Sequence, residues 1–231
     1  MQKKMNILYE DKELLVINKP SKLLTISTEK EKEKTLYHEA SIYVKKQHPK
    51  NKVFIVHRLD KDTSGIVIFA KNEKLKKLLQ ENWQSLAKER EYLAVVEGTI
   101  AKSKGCITNY LKETKTYQVY DTHNPKQGQK AITYYQVMAK KKKTTLLKIN
   151  ILTGKKNQIR VALASIGHPI LGDKKYNINK INKDRLMLHA SKLKLVHPKS
   201  KKEFIFFAKT PKEWFNIYSE ETKLYEKNHQ F

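Results

Sequence analysis

Two short apolar runs, residues 53–56 and 65–70, enclose a polar segment, Val56-His57-Arg58-Leu59-Asp60-Lys61-Asp62-Thr63-Ser64-Gly65. Short apolar runs bounded by turn-forming residues read as buried strands. A loop rich in charge and hydroxyls, caught between two such strands, is held rigidly, as a reactive group requires. No other stretch constrains the fold of this chain as closely. A strand over residues 14–19 comes before it and stops at Pro20.

The rest of the chain alternates less regularly. Strands are predicted at residues 92–96, 132–138, 145–152, 186–196 and 203–208, the last two as a pair. In the third of these, Leu147, Ile149 and Ile151 alternate with polar neighbours, the period of a half-buried strand. Thr35 is placed to cap a helix with Leu36, Ala40, Tyr43 and Val44 on one side. Leu75, Leu78, Leu79, Trp83 and Leu86 share a face of the next helix. A short helix over 158–166 ends at Gly167, and Pro211 starts a closing helix through Trp214 and Ile217. Residues 27–34 and 173–184 read as polar loops. There is neither a repeat nor a strand–helix alternation, so the class is α+β, with a large mixed, mostly antiparallel sheet flanked by helices. No linker divides the chain. One domain over 1–231 is expected, with two lobes around a central cleft that meet near residues 98–130.

Charge narrows the function. The net charge is +25, which favours a polyanionic partner through release of condensed counterions. No basic amphipathic helix stands apart, so nucleic acid fits better than a membrane surface. A lysine-, asparagine- and isoleucine-rich composition also follows from genome base bias, so charge alone decides little. Of 48 basic residues only Arg58, Arg90, Arg160 and Arg185 are arginine. Lysine is a point charge, whereas arginine is a planar fork, so these four are expected where geometry matters. No apolar stretch is long enough for a bilayer, and residues 1–15 lack a signal core, which points to the cytoplasm. The single cysteine, Cys106, excludes an internal disulfide and a multi-cysteine zinc site. The eight histidines form no close metal-ligand pair, and no metal is expected.

Asp60 and Asp62 suit acid or base work, and equally well the capping of local backbone. A second polar constellation runs Gly154-Lys155-Lys156-Asn157-Gln158-Ile159-Arg160 and on through Gly167-His168-Pro169-Ile170-Leu171-Gly172-Asp173. Its end is no phosphate loop: an aspartate precedes Lys174, no serine or threonine follows it, and proline interrupts. Arg90-Glu91-Tyr92 and Leu186-Met187-Leu188-His189-Ala190 complete the set. Ser64 lacks a nucleophile elbow.

Together these segments resemble the RluA-type pseudouridine synthases. The family's His-Arg-Leu-Asp with Thr-Ser-Gly is matched at 57–60 and 63–65, and its Tyr-x-Ala-x-Val-x-Gly at 92–98. Gln-Ile-Arg followed by Gly-His-Pro-Ile-Leu-Gly-Asp is matched at 158–160 and 167–173, and Leu-His-Ala at 188–190. The likeness extends in order from about Ile7 to Trp214. Three departures touch RNA contacts and target choice: Gly154-Lys155-Lys156-Asn157 replaces Gly-Arg-Thr-His, Ala162 replaces a frequent histidine, and Asn177 replaces a common glycine. The aspartate motif arrives too early for the small S4-type RNA-binding domain of many relatives, so the catalytic domain alone is expected.

The resemblance implies an isomerase that turns uridine into pseudouridine in ribosomal or transfer RNA, with no cofactor, acting as a monomer. It implies Asp60 as the catalytic carboxylate and Arg160 as the facing guanidinium that keeps it ionised. Tyr92 is expected to stack on the uracil, Ile159 and Leu171 to wall the pocket, and Arg58 to fill the gap left by the extruded base or to hold a phosphate. Two rival readings remain at this point: a silent RNA-binding or ribosome assembly protein, and a metal-dependent nuclease using Asp60 and Asp62.

Overall fold

The computed structural model describes residues 5–29, 31–177 and 185–229; the expected polar loop 173–184 lies partly outside them. The chain forms two compact units, Met1–Glu89 with Ala190–Ala208, and Arg90–His189 with Lys209–Phe231.

The first unit opens with β1 (Ile7–Glu10), β2 (Leu14–Lys19), α1 (Leu36–Gln47), β3 (Phe54–Ile55) and β4 (Ser64–Ala70). Two helices follow, α2 (Glu73–Glu81) and α3 (Trp83–Leu86). The chain crosses to the second unit within β5 (Ala87–Glu97), which leads to β6 (Lys104–Glu113), β7 (Val119–Asp121), β8 (Gln129–Lys141), β9 (Thr144–Ile151) and α4 (Gln158–Ser165). It returns within β10 (Leu188–Val196), pairs that strand with β11 (Glu203–Phe207), and closes with α5 (Phe215–Lys227).

Every residue of β4 is buried, because β2 flanks it and side chains cover both of its faces. Leu75 and Leu79 of α2 join Ile66 and Ile68 in one apolar cluster with Leu193, Leu195 and Phe206. On the other face, Tyr37 of α1 lies 6.4 Å from Phe69, ring to ring. Thr35 caps α1 by accepting a hydrogen bond from the His38 N–H, as the sequence indicates.

The second unit orders its strands β5-β9-β8-β6-β7, each pair antiparallel. α4 packs Val161 onto Leu111, Val119 and Ala131 of this sheet.

Four expectations need correction. Residues 98–130 do not separate lobes; they lie inside the second unit and hold β6 and β7. Their apolar pattern is sparse because the strands sit at the sheet margin, where few residues face the core: Ile107, Leu111 and Val119 do. Residues 75–86 form two helices, because Asn82 leaves helical geometry and closes α2 with its amide on the Leu78 carbonyl. The closing α-helix begins at Phe215 rather than at Pro211, after a 3-10 turn over Lys212–Trp214, and is kinked at Tyr218, whose backbone is non-helical and whose hydroxyl lies 2.9 Å from Thr144 Oγ1. Tyr92 sits in the middle of β5 rather than opening it, since the polar residues before it pair as strand too.

Candidate active site

The segment from His57 to Thr63 is positioned through its backbone. Lys19, fully buried at the end of β2, donates to the carbonyls of Pro20 (2.9 Å), Leu23 (2.7 Å) and Lys61 (3.0 Å). A buried ammonium is tolerated only when its donors are satisfied, so the lysine and the loop depend on each other. The Ser21 hydroxyl donates to the Asp62 carbonyl at 2.7 Å. Thr25 Oγ1 donates to the Leu59 carbonyl (2.8 Å) and accepts from the Leu59 N–H (3.2 Å). The Thr63 N–H closes a turn onto the Asp60 carbonyl. Leu59 and Val56 anchor the loop in the core, both 6 % exposed.

His57 accepts the Ile68 N–H at Nε2 (3.1 Å), so in its neutral form Nδ1 carries the proton. Its ring stacks on Trp83, 4.6 Å between centroids. Gly65 has φ +116°, and a Cβ there would stand 2.2 Å from the Ala190 carbonyl oxygen. Only glycine allows that approach. The result is a loop fixed at each end, with Asp60 half-buried and Arg58 exposed to solvent.

Arg160, on α4, is held differently. Its Nε and one terminal nitrogen grip Asp173 in a bidentate pair at 2.8 and 2.7 Å, with both residues buried. The other terminal nitrogen donates to Asn157 Oδ1 at 3.2 Å. The guanidinium carbon lies 5.2 Å from the Tyr176 ring. The Tyr176 hydroxyl accepts from the Asn157 amide (3.0 Å) and donates to the Val119 carbonyl (2.9 Å). Burial raises the Tyr176 pKa despite these partners and the nearby arginine. Asn157 takes φ +53° as it enters α4, a conformation that asparagine tolerates well. One departure from the family pattern therefore has a structural job, linking Arg160 to Tyr176. Another departure, Asn177, donates its amide to Glu97.

The remaining candidates belong to the second unit. Tyr92 is half-buried and pairs with Ile149 across the ladder. Ile159 and Leu171 are buried, 5 % and 2 % exposed, and the Leu171 N–H donates to the Val95 carbonyl. The other arginines differ from one another. Arg90 is buried and donates to the Leu152 carbonyl, and Arg185 donates to its neighbour Leu186 at 3.3 Å. Burial lowers the pKa of both. Arg58 is the exposed exception. Sequence reasoning missed Lys19, Ser21, Thr25 and the supporting role of Asp173. The signal for the first was a lysine ending an apolar strand; the others are ordinary loop residues.

Comparison with known proteins places this arrangement. The family model described as RNA pseudouridylate synthase matches residues 13–165. The chain is 34% identical over 215 residues to "Uncharacterized RNA pseudouridine synthase YhcT" of Bacillus subtilis, covering 92% of this chain and 71% of that protein. It is 34% identical over 235 residues to tRNA pseudouridine synthase C of Haemophilus ducreyi, covering 94% and 95%. "Dual-specificity RNA pseudouridine synthase RluA" of Vibrio cholerae is 33% identical, with 85% and 79% covered. Among solved structures, Human RNA Pseudouridylate Synthase Domain Containing 4 shares the fold, with TM-score 0.76 at 24% identity over 90% of each chain.

Proposed function

The chain belongs to the RNA pseudouridylate synthase family, and from that premise we propose that its isomerisation of uridine turns on the carboxylate of Asp60. The reaction breaks the N1–C1′ bond, turns the base and joins C5 to C1′. No atom is gained or lost, so the step needs no redox partner. One ionised carboxylate supports it, by attack on sugar or base or by taking the C2′ proton. The observation that supports Asp60 is the backbone clamp: Lys19, Ser21 and Thr25 fix its loop while the side chain stays half-exposed.

In this reading Arg160 supplies a positive charge, in an orientation set by Asp173. Tyr92 stacks on the extruded uracil, and Ile159 with Leu171 forms the apolar wall. Arg58 occupies the vacated stack or holds a phosphate. The enzyme works as a cytoplasmic monomer.

The decisive experiment is tritium release from RNA labelled at uridine C5, with chelator present. Asp60→Asn is expected to fold, bind RNA and release no tritium. Substantial turnover by that variant overturns the assignment. Phosphodiester cleavage that stops with chelator revives the nuclease reading.

In this reading the RNA is ribosomal, most readily that of the large subunit, in keeping with two Buchnera aphidicola relatives named ribosomal large subunit pseudouridine synthase C. A transfer RNA target is the second reading, because the match to tRNA pseudouridine synthase C spans nearly all of both chains. Mapping pseudouridine in both RNA classes from a deletion strain decides between them.

A further inference from the structure

We propose that the outer face of the second unit's sheet is an additional RNA-contacting surface, a stacking and phosphate platform for an unpaired strand, centred on Tyr134. The proposal rests on RNA being the substrate and extends it to the sheet face opposite Tyr92.

The ladder registers define two faces. Tyr92, Ile149, Tyr135 and Gly105 form one row across β5, β9, β8 and β6. Leu93, Lys148, Gln136 and Lys104 form the next. Adjacent rows point to opposite faces. Tyr135 shares its face with Ala131, on which α4 packs, so Tyr92 and the helix of Arg160 lie on that side. Gly105 leaves room there for the Tyr135 ring, which a Cβ would meet at 2.4 Å.

The opposite face is open over β6 and β8. At its centre Tyr134 is 42% exposed, paired with Cys106 on one side and Asn150 on the other. Lys104, Gln136 and Lys148 line the neighbouring row, and together these residues surround a shallow depression of about 370 Å³. Further along, Tyr110 pairs with Lys130. α5 lies at the β5 margin, where Tyr225 bonds Glu91, and reaches the ends of β8 and β9 through Lys141 and Thr144.

Charge and the exposed ring together favour one occupant. An ordinary solvated face mixes both signs. Here β6, β8 and β9 turn no carboxylate outward on this side, and among the described residues Lys104 and Lys130 make no ion pair. Buried Glu91, 4.0 Å from Lys148, is the nearest acid in the row beyond. An exposed tyrosine near Lys104 and Lys130 is the chemistry of single-stranded RNA binding: bases stack on the ring and cations meet the phosphates.

The native protein carries its own reporter. Cys106, exposed and the only cysteine, is the cross-strand neighbour of Tyr134. The experiment measures maleimide alkylation of Cys106 with and without a mixed-sequence single-stranded RNA of about 12 nucleotides. Saturating RNA is expected to slow alkylation. Tyr134→Ala is expected to weaken binding roughly 10-fold with an unchanged melting curve, whereas Tyr134→Phe, which keeps the ring, binds as the parent does. Lys104→Ala is expected to lower the salt slope of binding by about one. Alkylation unaffected by saturating RNA overturns the proposal. So does protection that appears with protein concentration alone, which makes the face an interface between copies. Tritium release separates this from the catalytic reading: turnover with an unprotected Cys106 sinks the platform only, and protection without turnover sinks the catalytic reading only.

Discussion

In the first unit, the loop carrying Asp60 is fixed through main-chain carbonyls that Lys19, Ser21 and Thr25 hold from outside it; in the second, Arg160 is fixed through its own head group, gripped by Asp173 and Asn157. A backbone clamp sets the course of the loop whatever side chain stands at position 60. Chemistry and folding can then be tested apart there. A side-chain clamp joins the two, because any change at position 160 strands a buried Asp173. The same contrast explains why the loop needs Gly65 as a backbone solution, while α4 needs a paired charge.

The comparison breaks most readily at Asp173. Asp173→Asn leaves a buried guanidinium without its countercharge and is expected to cost about 3–5 kcal/mol in denaturant unfolding. A loss below about 1 kcal/mol means that Arg160 has another home and the side-chain clamp is dispensable. Lys19→Met removes the central donor of the other clamp. It is expected to cost about 3 kcal/mol and to lower kcat more than it raises KM, because the loop shifts while RNA contacts elsewhere persist. If kcat is unchanged in the folded variant, the loop holds its course without the lysine.

His57→Phe sharpens the picture further. The ring stack on Trp83 survives but the Ile68 N–H loses its acceptor, so about 1–2 kcal/mol is expected. Proteolytic susceptibility of residues 57–63 reads whether the loop loosens. The smallest effect is expected at Asp121, where the β6–β7 margin is tied together. Burial works to raise its pKa, but hydrogen bonds from the Asn109 amide and from the Tyr110 and His123 N–H groups outweigh it and hold the carboxyl below its ordinary 3.8. Because the folded pKa is the lower one, this stabilisation is present above 3.8 and is lost as pH falls through the folded value. Hydrogen exchange across residues 104–122 is expected to accelerate below about pH 4, and Asp121→Asn to flatten that acid response. An unaltered response in the variant assigns the acid sensitivity to other carboxylates.

Strongly patterned elements were legible in the sequence. β4 is a continuous apolar run, β9 alternates cleanly, and Thr35 caps α1 as written. β6 and β7 were not legible, since a strand with one wet face at a sheet margin shows few inward apolar residues. The break at Asn82 and the kink at Tyr218 arise from capping and from a contact with Thr144, neither of which periodicity records.

By itself the sequence determined the family, the reaction class and the short loop around Asp60, because motif order and local hydrophobic pattern are written in neighbouring residues. Only the tertiary structure decided how that loop is held, which acid grips Arg160 and which sheet face stays open. Those outcomes depend on groups distant in the chain, such as Lys19 with Lys61 and Arg160 with Asp173. Their pairing is set by the need to satisfy buried charge, a requirement that exists only once the core has closed around it.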